Sequence, residues 1–169
     1  MAVDNGAYSC WINKREFDHI SFLKLLLELN IKRIVVDFVI VPDIVAGGLD
    51  SLAFSLSWVS RLGDYRRYLA VQDGMEEIHL PHTITNQFDG VFVGGSPRWK
   101  WQTAKRWVEF AHSRGKKLHI GKCGTWRRLL YAQMIGADSV DSTNFARNDS
   151  YNAILKYQAA MRGGSTCPK

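Results

Sequence analysis

The sequence predicts an α/β fold of the parallel (β/α) TIM-barrel type, incomplete, with about six β/α units. Three observations predict it. Short apolar or β-branched runs alternate with helical segments in the order β-α-β-α-β-loop-β-α-β-α-β-α, which is the order of a parallel sheet. The expected strands end in Asp4, Asp43, Gln72, the pair Gly94-Gly95 and Asp141, all residue types suited to a site. An open doubly wound sheet satisfies the same order but concentrates its site at one switch point, whereas a barrel gathers side chains from several strand ends at its mouth. A full barrel wants eight strands, and the first one here starts almost at Met1, so two are missing from the expected set.

Each element has a local reason. Val3 leads into Asp4-Asn5-Gly6 as a strand and its turn. Over residues 15–30, Phe17, Ile20, Leu23, Leu26, Leu27 and Leu29 recur near a 3.6-residue period, and Asn30 can end that helix. Arg33 to Val41 is β-branched and apolar enough for a parallel strand buried on both faces, with Pro42 closing it. Residues 51–62 are expected to be helical with Gly63 at the C-terminal cap, and 67–71 to be the next strand. Residues 76–88 read as loop. Strand 88–93 is followed by helix 97–113, which opens with Pro97 in its first turn. Strand 117–120, helix 124–135, strand 138–141 and helix 150–161 complete one domain over residues 1–162, with 163–169 as a flexible tail.

Composition narrows the classes. A hydrophobic content of 46% over 169 residues excludes a largely disordered chain and supports a single core. No apolar run approaches the roughly 20 residues that cross a bilayer, and the N-terminus lacks a signal-peptide layout, so a soluble cytoplasmic protein is expected. Cys10, Cys123 and Cys167 are odd in number and far apart, which fits reduced thiols and neither a disulfide framework nor a metal site. Cys123 has no evident histidine base and reads as structural. His79, His82 and His112 have no ligand spacing, and His119, inside an apolar strand, is expected near the mouth. Asp37, also in an apolar run, is expected to be buried with Arg33 or backbone as its partner.

The formal net charge is +6. Arg98-Trp99-Lys100-Trp101, with Lys105, Arg106 and Trp107, interleaves cations with large aromatics, a combination that binds unstacked bases and their phosphates. Arg98, Lys100 and Lys105 are the expected nucleic-acid contacts. Trp101, Trp107 and Phe110 also fall near helical spacing, so part of this stripe belongs to a core.

Read together, the strand ends resemble the tRNA-guanine transglycosylase superfamily, including its small phage and bacterial relatives that place 7-deazaguanines in DNA. Asp4-Asn5-Gly6-Ala7-Tyr8-Ser9 looks like the family strand end that carries a catalytic aspartate, and Gly136 to Asp141 looks like the strand end whose last aspartate is the covalent nucleophile. Arg147 stands six residues after Asp141, as the family's arginine does. The resemblance implies base recognition by Asp43, Gln72, Gly94 and Gly95, with Arg147 among the nucleic-acid contacts. The family's first two strands and its zinc-binding insertion have no counterpart here. The small relatives without zinc are therefore closer, and DNA is favoured over tRNA as the partner of a free 7-deazaguanine base.

What the resemblance implies is a base exchange without cofactor, located in the cytoplasm, or in the host cytoplasm for a phage protein. Asp141 would trap the sugar as a covalent intermediate, and Asp4 would move the proton of the departing or incoming base. Taken singly, Asp4 and Asp43 also read as ordinary turn formers, and Asp138 as a turn residue between helix and strand. Two rival readings keep the barrel. In one it is a phosphosugar enzyme with Gly94-Gly95-Ser96 cradling phosphate at a helix N-terminus; in the other it is a non-catalytic nucleic-acid-binding remnant. The missing strands leave an uncovered apolar edge, so a homodimer or a second chain completing the barrel is expected.

Overall fold

The computed structural model describes residues 1–142 and 151–162. Its strands are β1 (Ala2–Val3), β2 (Phe38–Ile40), β3 (Arg67–Val71), β4 (Gly90–Val93), β5 (Lys117–Ile120) and β6 (Ser139–Val140). Between and after them lie α1 (Ala7–Ile12), α2 (His19–Ile31), α3 (Gly48–Trp58), α4 (His82–Thr85), α5 (Pro97–Ser113), α6 (Trp126–Met134) and α7 (Tyr151–Arg162). The strands form one sheet in chain order, and every ladder is parallel. An open doubly wound sheet reverses direction at a switch point; this sheet does not.

The sheet is curled. The ring of Phe38 on β2 lies 5.3 Å from that of His119 on β5, three ladders away, so the concave face closes on itself. Phe38, Ile40, Tyr68 and Ala70 are buried on that face, with Phe92 packed against them. Alternate residues, among them Val39, Leu69, Val91, Val93, Leu118 and Ile120, point outward into the larger core beneath the helices, where Trp58 and Trp107 are fully buried. This is the period-2 division of a barrel strand between lumen and helix layer. Six parallel strands thus make a curled half-barrel.

Glycines make room inside the curl. A Cβ on Gly121 would stand 2.5 Å from Cζ of Phe92, and one on Gly90 would overlap the ring of Tyr68. Large rings opposite glycine fill the taper that two large side chains would overpack. Tyr68 in turn stacks on Phe38 at 3.9 Å, and Phe92 on His119 at 5.4 Å.

Local capping explains the helix starts. Ser96 accepts from the N–H of Trp99 with Pro97 next to it, Thr125 accepts from that of Arg128, and Asp18 from that of Ser21. The Asp18 cap starts α2 at His19, later than the periodicity indicates. Its buried residues are Phe22, Leu26 and Leu29, while Ile20, Leu23, Leu27 and Ile31 form an exposed stripe. The run expected as a long strand over 33–41 pairs only at 38–40. Lys32 ends α2 and Arg33 takes a left-handed φ of 53°, so the following residues serve the return to the sheet and Val35 is 79% exposed.

Asp37 is a correction to the sequence expectation: it is exposed, and its Oδ2 lies 2.9 Å from the N-terminal ammonium. Helix α1 and, inside the expected loop 76–88, a 3-10 turn at Glu77–His79 and helix α4 are additions. They are too short to carry a period. Among the described residues no helix is long and apolar enough to cross a membrane. The expected tail at 163–169 and Arg147 lie outside the described residues.

Candidate active site

Strand register sets the site. Ala70 pairs with Phe92, Phe92 with His119 and His119 with Ser139, all on one level of the concave face. Two residues further along each strand come Gln72, Gly94, Gly121 and Asp141, one level higher at the C-terminal mouth. Backbone bonds from Gly94 N–H to Val71 O and from Asp141 N–H to Ile120 O continue the pairing up to that level. A small cavity of about 120 Å³ sits there, lined by Asp4, Asn5, Asp43, Gln72, Gly94, Gly95, Lys100 and Asp141 among others.

Asp141 is 54% exposed at the rim of this cavity. Its Oδ1 accepts the Lys122 N–H at 2.6 Å, and its Oδ2 lies 3.7 Å from His119 Nε2. Burial opposes its ionisation, but His119, the Lys122 amide and the Lys100 charge outweigh that effect and hold the carboxyl below its usual range. It is a carboxylate at neutral pH. His119 is held from below: it is only 4% exposed, stacks on Phe92, and shares a 2.8 Å hydrogen bond between Nδ1 and Ser139 Oγ, the donor set by the tautomer.

Asp43 has the opposite character. Burial pushes its carboxyl up to about 6, against the lowering effect of the Asn5 hydrogen bond and with the nearby Asp4 charge adding to the rise. Asn5 Nδ2 donates to Asp43 Oδ1 at 2.8 Å and to Val41 O at 2.9 Å, tying the end of β2 to the turn after β1. Asp4 is exposed beside it, and its Oδ1 accepts the Gly6 N–H at 3.1 Å, so the turn-forming reading and the cavity-lining one hold at once.

Gln72 lines the cavity and is 2% exposed. Its Nε2 donates to Ile44 O (2.8 Å) and Ser51 Oγ (2.7 Å), with Asp43 Oδ2 at 3.4 Å, and its Oε1 accepts the Ala46 N–H at 2.6 Å. Both amide protons are engaged in holding the loop after β2. Gly94 spends its N–H on the sheet, whereas that of Gly95 has no partner among the described residues. Gly95 has φ of 74°, and a Cβ there would meet Asp73 Oδ2 at 2.6 Å. Only glycine suits both conditions. Asp73 accepts the N–H and hydroxyl of Ser96 at 2.6 and 2.7 Å, fixing the start of α5 against the mouth.

The three cations expected on α5 divide. Arg98 and Lys105, seven residues apart, are exposed on the helix, and Lys105 pairs with Glu109 at 3.8 Å. Lys100 faces inward and lines the cavity, with its Nζ donating to Gly121 O at 2.6 Å. Burial lowers its ammonium pKa to about 8. Cys123 is buried, and burial pushes its thiol up to about 12, a poor nucleophile at neutral pH. His112 and Asp138 pair at 3.0 Å away from the mouth, and Asp138 also accepts the Leu118 N–H. Among the described residues no cluster of three or more His, Cys, Asp or Glu side chains could hold a metal ion.

Asn5 and Lys122 are site residues that sequence reasoning passed over. Asn5 lies hidden in Asp-Asn-Gly, a common turn, and Lys122 in a general run of cations. A left-handed φ of 62° at Lys122 turns its N–H to Asp141, and no sequence pattern announces that. No protein-family model matches the chain, and no curated protein matches it. The functional reading therefore rests on the residues themselves.

Proposed function

We propose that this mouth is the active site of a nucleobase transglycosylase that exchanges guanine in a nucleic acid for a 7-deazaguanine, on a TIM-type barrel of which this chain supplies six units. The observation that carries the reading is one cavity holding two carboxyl groups whose acidities are driven apart, Asp141 down and Asp43 up to about 6. Such a pair supplies a nucleophile and a proton donor in one site, as in retaining glycoside hydrolysis.

Asp141 attacks the anomeric carbon as the C–N bond to guanine breaks, and the bonding electron pair leaves with the base. Asp43 gives that base its proton. The deazaguanine then enters, returns a proton to Asp43, and attacks the same carbon, expelling the Asp141 carboxylate. Two displacements preserve the configuration of the sugar. Burial, which raises the Asp43 pKa to about 6, makes Asp43 the proton carrier. Asp4, exposed at the rim, accepts from the amino and N1–H donors of guanine, and the Gly95 N–H donates to O6. Gln72 acts by holding the loop that carries Asp43.

DNA is the favoured nucleic acid and the cytoplasm the expected location, in keeping with the small zinc-free relatives. The assay is exchange of labelled guanine in DNA and in tRNA for an unlabelled 7-deazaguanine. Label released from neither one overturns the reading. The exposed α2 stripe and the short edge strand β1 fit a second copy or a separate chain that completes the barrel. Sedimentation at micromolar concentration is expected to show a species larger than the monomer, and an active monomer there contradicts it.

A further inference from the structure

A second cleft of about 440 Å³ adjoins the carboxylate cavity, sharing Tyr8, Val45, Gly95, Lys100 and Lys122 with it. The difference in size is informative: about 120 Å³ admits a small planar group, while anything attached to that group has to extend into the larger space. Its walls pair cations with aromatic faces. Lys122 Nζ lies 2.8 Å from the centroid of the Tyr8 ring, and the Arg128 guanidinium stands 5.2 Å from that of Trp101. Trp11, 53% exposed, continues the aromatic wall 5.9 Å from Tyr8.

Among the described residues that line the cleft, the one acid, Asp73, is engaged with Ser96, and Lys100 donates to Gly121 O, which leaves Lys122 and Arg128 as the cations facing the aromatic walls. A cation on a ring face is oriented and partly stripped of water, which readies it for an anion beside a flat ligand. The geometry points to a subsite for the flanking nucleotide of a single-stranded polynucleotide: its phosphate between Lys122 and Arg128, its base against Tyr8 and Trp11. Stacking on these rings needs an unpaired base, so the site selects single strands over duplex. The contacts differ from those expected along the outer face of α5. This inference rests on the transglycosylase reading for the position of the target base and on the cleft alone for the phosphate and flanking base.

The test is fluorescence anisotropy with labelled DNA and RNA pentanucleotides carrying a central guanine, and with the matching duplexes, titrated with the full chain at several salt concentrations. The DNA and RNA arms identify which strand the cleft takes. At least one single strand is expected to bind more tightly than its duplex. The double variant Lys122→Gln, Arg128→Gln is expected to flatten the salt dependence by about 0.7 log units, the value for one lost phosphate contact on a single strand. Trp11→Ala is expected to weaken binding about tenfold with the slope unchanged.

An unchanged slope in the folded double variant overturns the inference, as does equal affinity for duplex. Should that variant not fold, competition against the wild-type chain decides: guanosine 3′,5′-bisphosphate is expected to displace the oligonucleotide more strongly than guanosine, and equal competition overturns the subsite. Failure of the two readings is separable. Cleft-dependent binding without base exchange leaves this inference and removes the transglycosylase, whereas exchange with cleft-independent binding does the reverse.

Discussion

Asp141→Asn abolishes base exchange, with a fall in rate of at least about 10³-fold, because the neutral amide lacks the carboxylate's negative charge and is too weak a nucleophile to trap the anomeric carbon. The fold is expected to survive. An amide oxygen can still accept the Lys122 N–H that Asp141 Oδ1 now takes at 2.6 Å, and the position is half exposed, so no new polar group is buried. Oligonucleotide affinity is likewise expected to stay near that of the wild type. The direct measurement is denaturation during turnover followed by separation of protein-linked strand. Wild type should yield a covalent adduct and the Asn variant none; exchange at the wild-type rate by that variant would remove Asp141 from the mechanism.

Asp43→Asn acts on rate and stability in opposite directions. The carboxyl has its ordinary value of 3.8 when the chain is unfolded and about 6 in the fold, so the native state binds more protons between those values. Stability is therefore lost as pH rises across that window and stays lower above it. The difference of about two pH units corresponds to about 3 kcal/mol. Asn removes the cost of burying the charge while keeping an oxygen for Asn5. The variant is expected to be more stable than wild type in urea unfolding at pH 7.5 by up to about 3 kcal/mol, with no gain at pH 4. A gain that does not depend on pH would show that ionisation is not its source.

The same group gives the rate its pH dependence. Base departure needs Asp43 protonated and Asp141 ionised, so kcat/KM for guanine release is expected to fall as pH rises through about 6. Its ascending limb lies below the usual carboxylate range, in line with the lowered Asp141. Asp43→Asn should lose the falling limb together with most of the release. A wild-type profile flat from pH 5 to 8 would take the proton-donor role from Asp43.

Where a signal was local, the sequence was sufficient. Strands 67–71 and 117–120 and helix 97–113 lie where the apolar runs and the Ser96-Pro97 start place them, because capping and chain stiffness act over a few residues. The strand-end placement of Asp4, Gln72, Gly94 and Asp141 was legible for the same reason: each follows its own strand. The buried face of α2 was not, since Ile20 and Leu23 are as apolar as Phe22 and Leu26, and only the sheet beneath chooses between them. Nor was the inward turn of Lys100 amid exposed cations.

Acidity was decided last and from furthest away. Asp43 and Asp141 are the same residue type at similar strand ends, and the fold makes one a weak acid and the other a carboxylate. Burial raises Asp43, helped by the Asp4 charge from the end of β1 and opposed by the Asn5 hydrogen bond, whereas Asp141 is lowered against burial by His119 from β5 and the Lys122 amide that follows it. Burial and the field of neighbouring charges belong to positions in space. Sequence set which groups stand at the mouth; the curl of the sheet set what each of them can do there, because it is the curl that brings strand ends distant in the chain into one electrostatic environment.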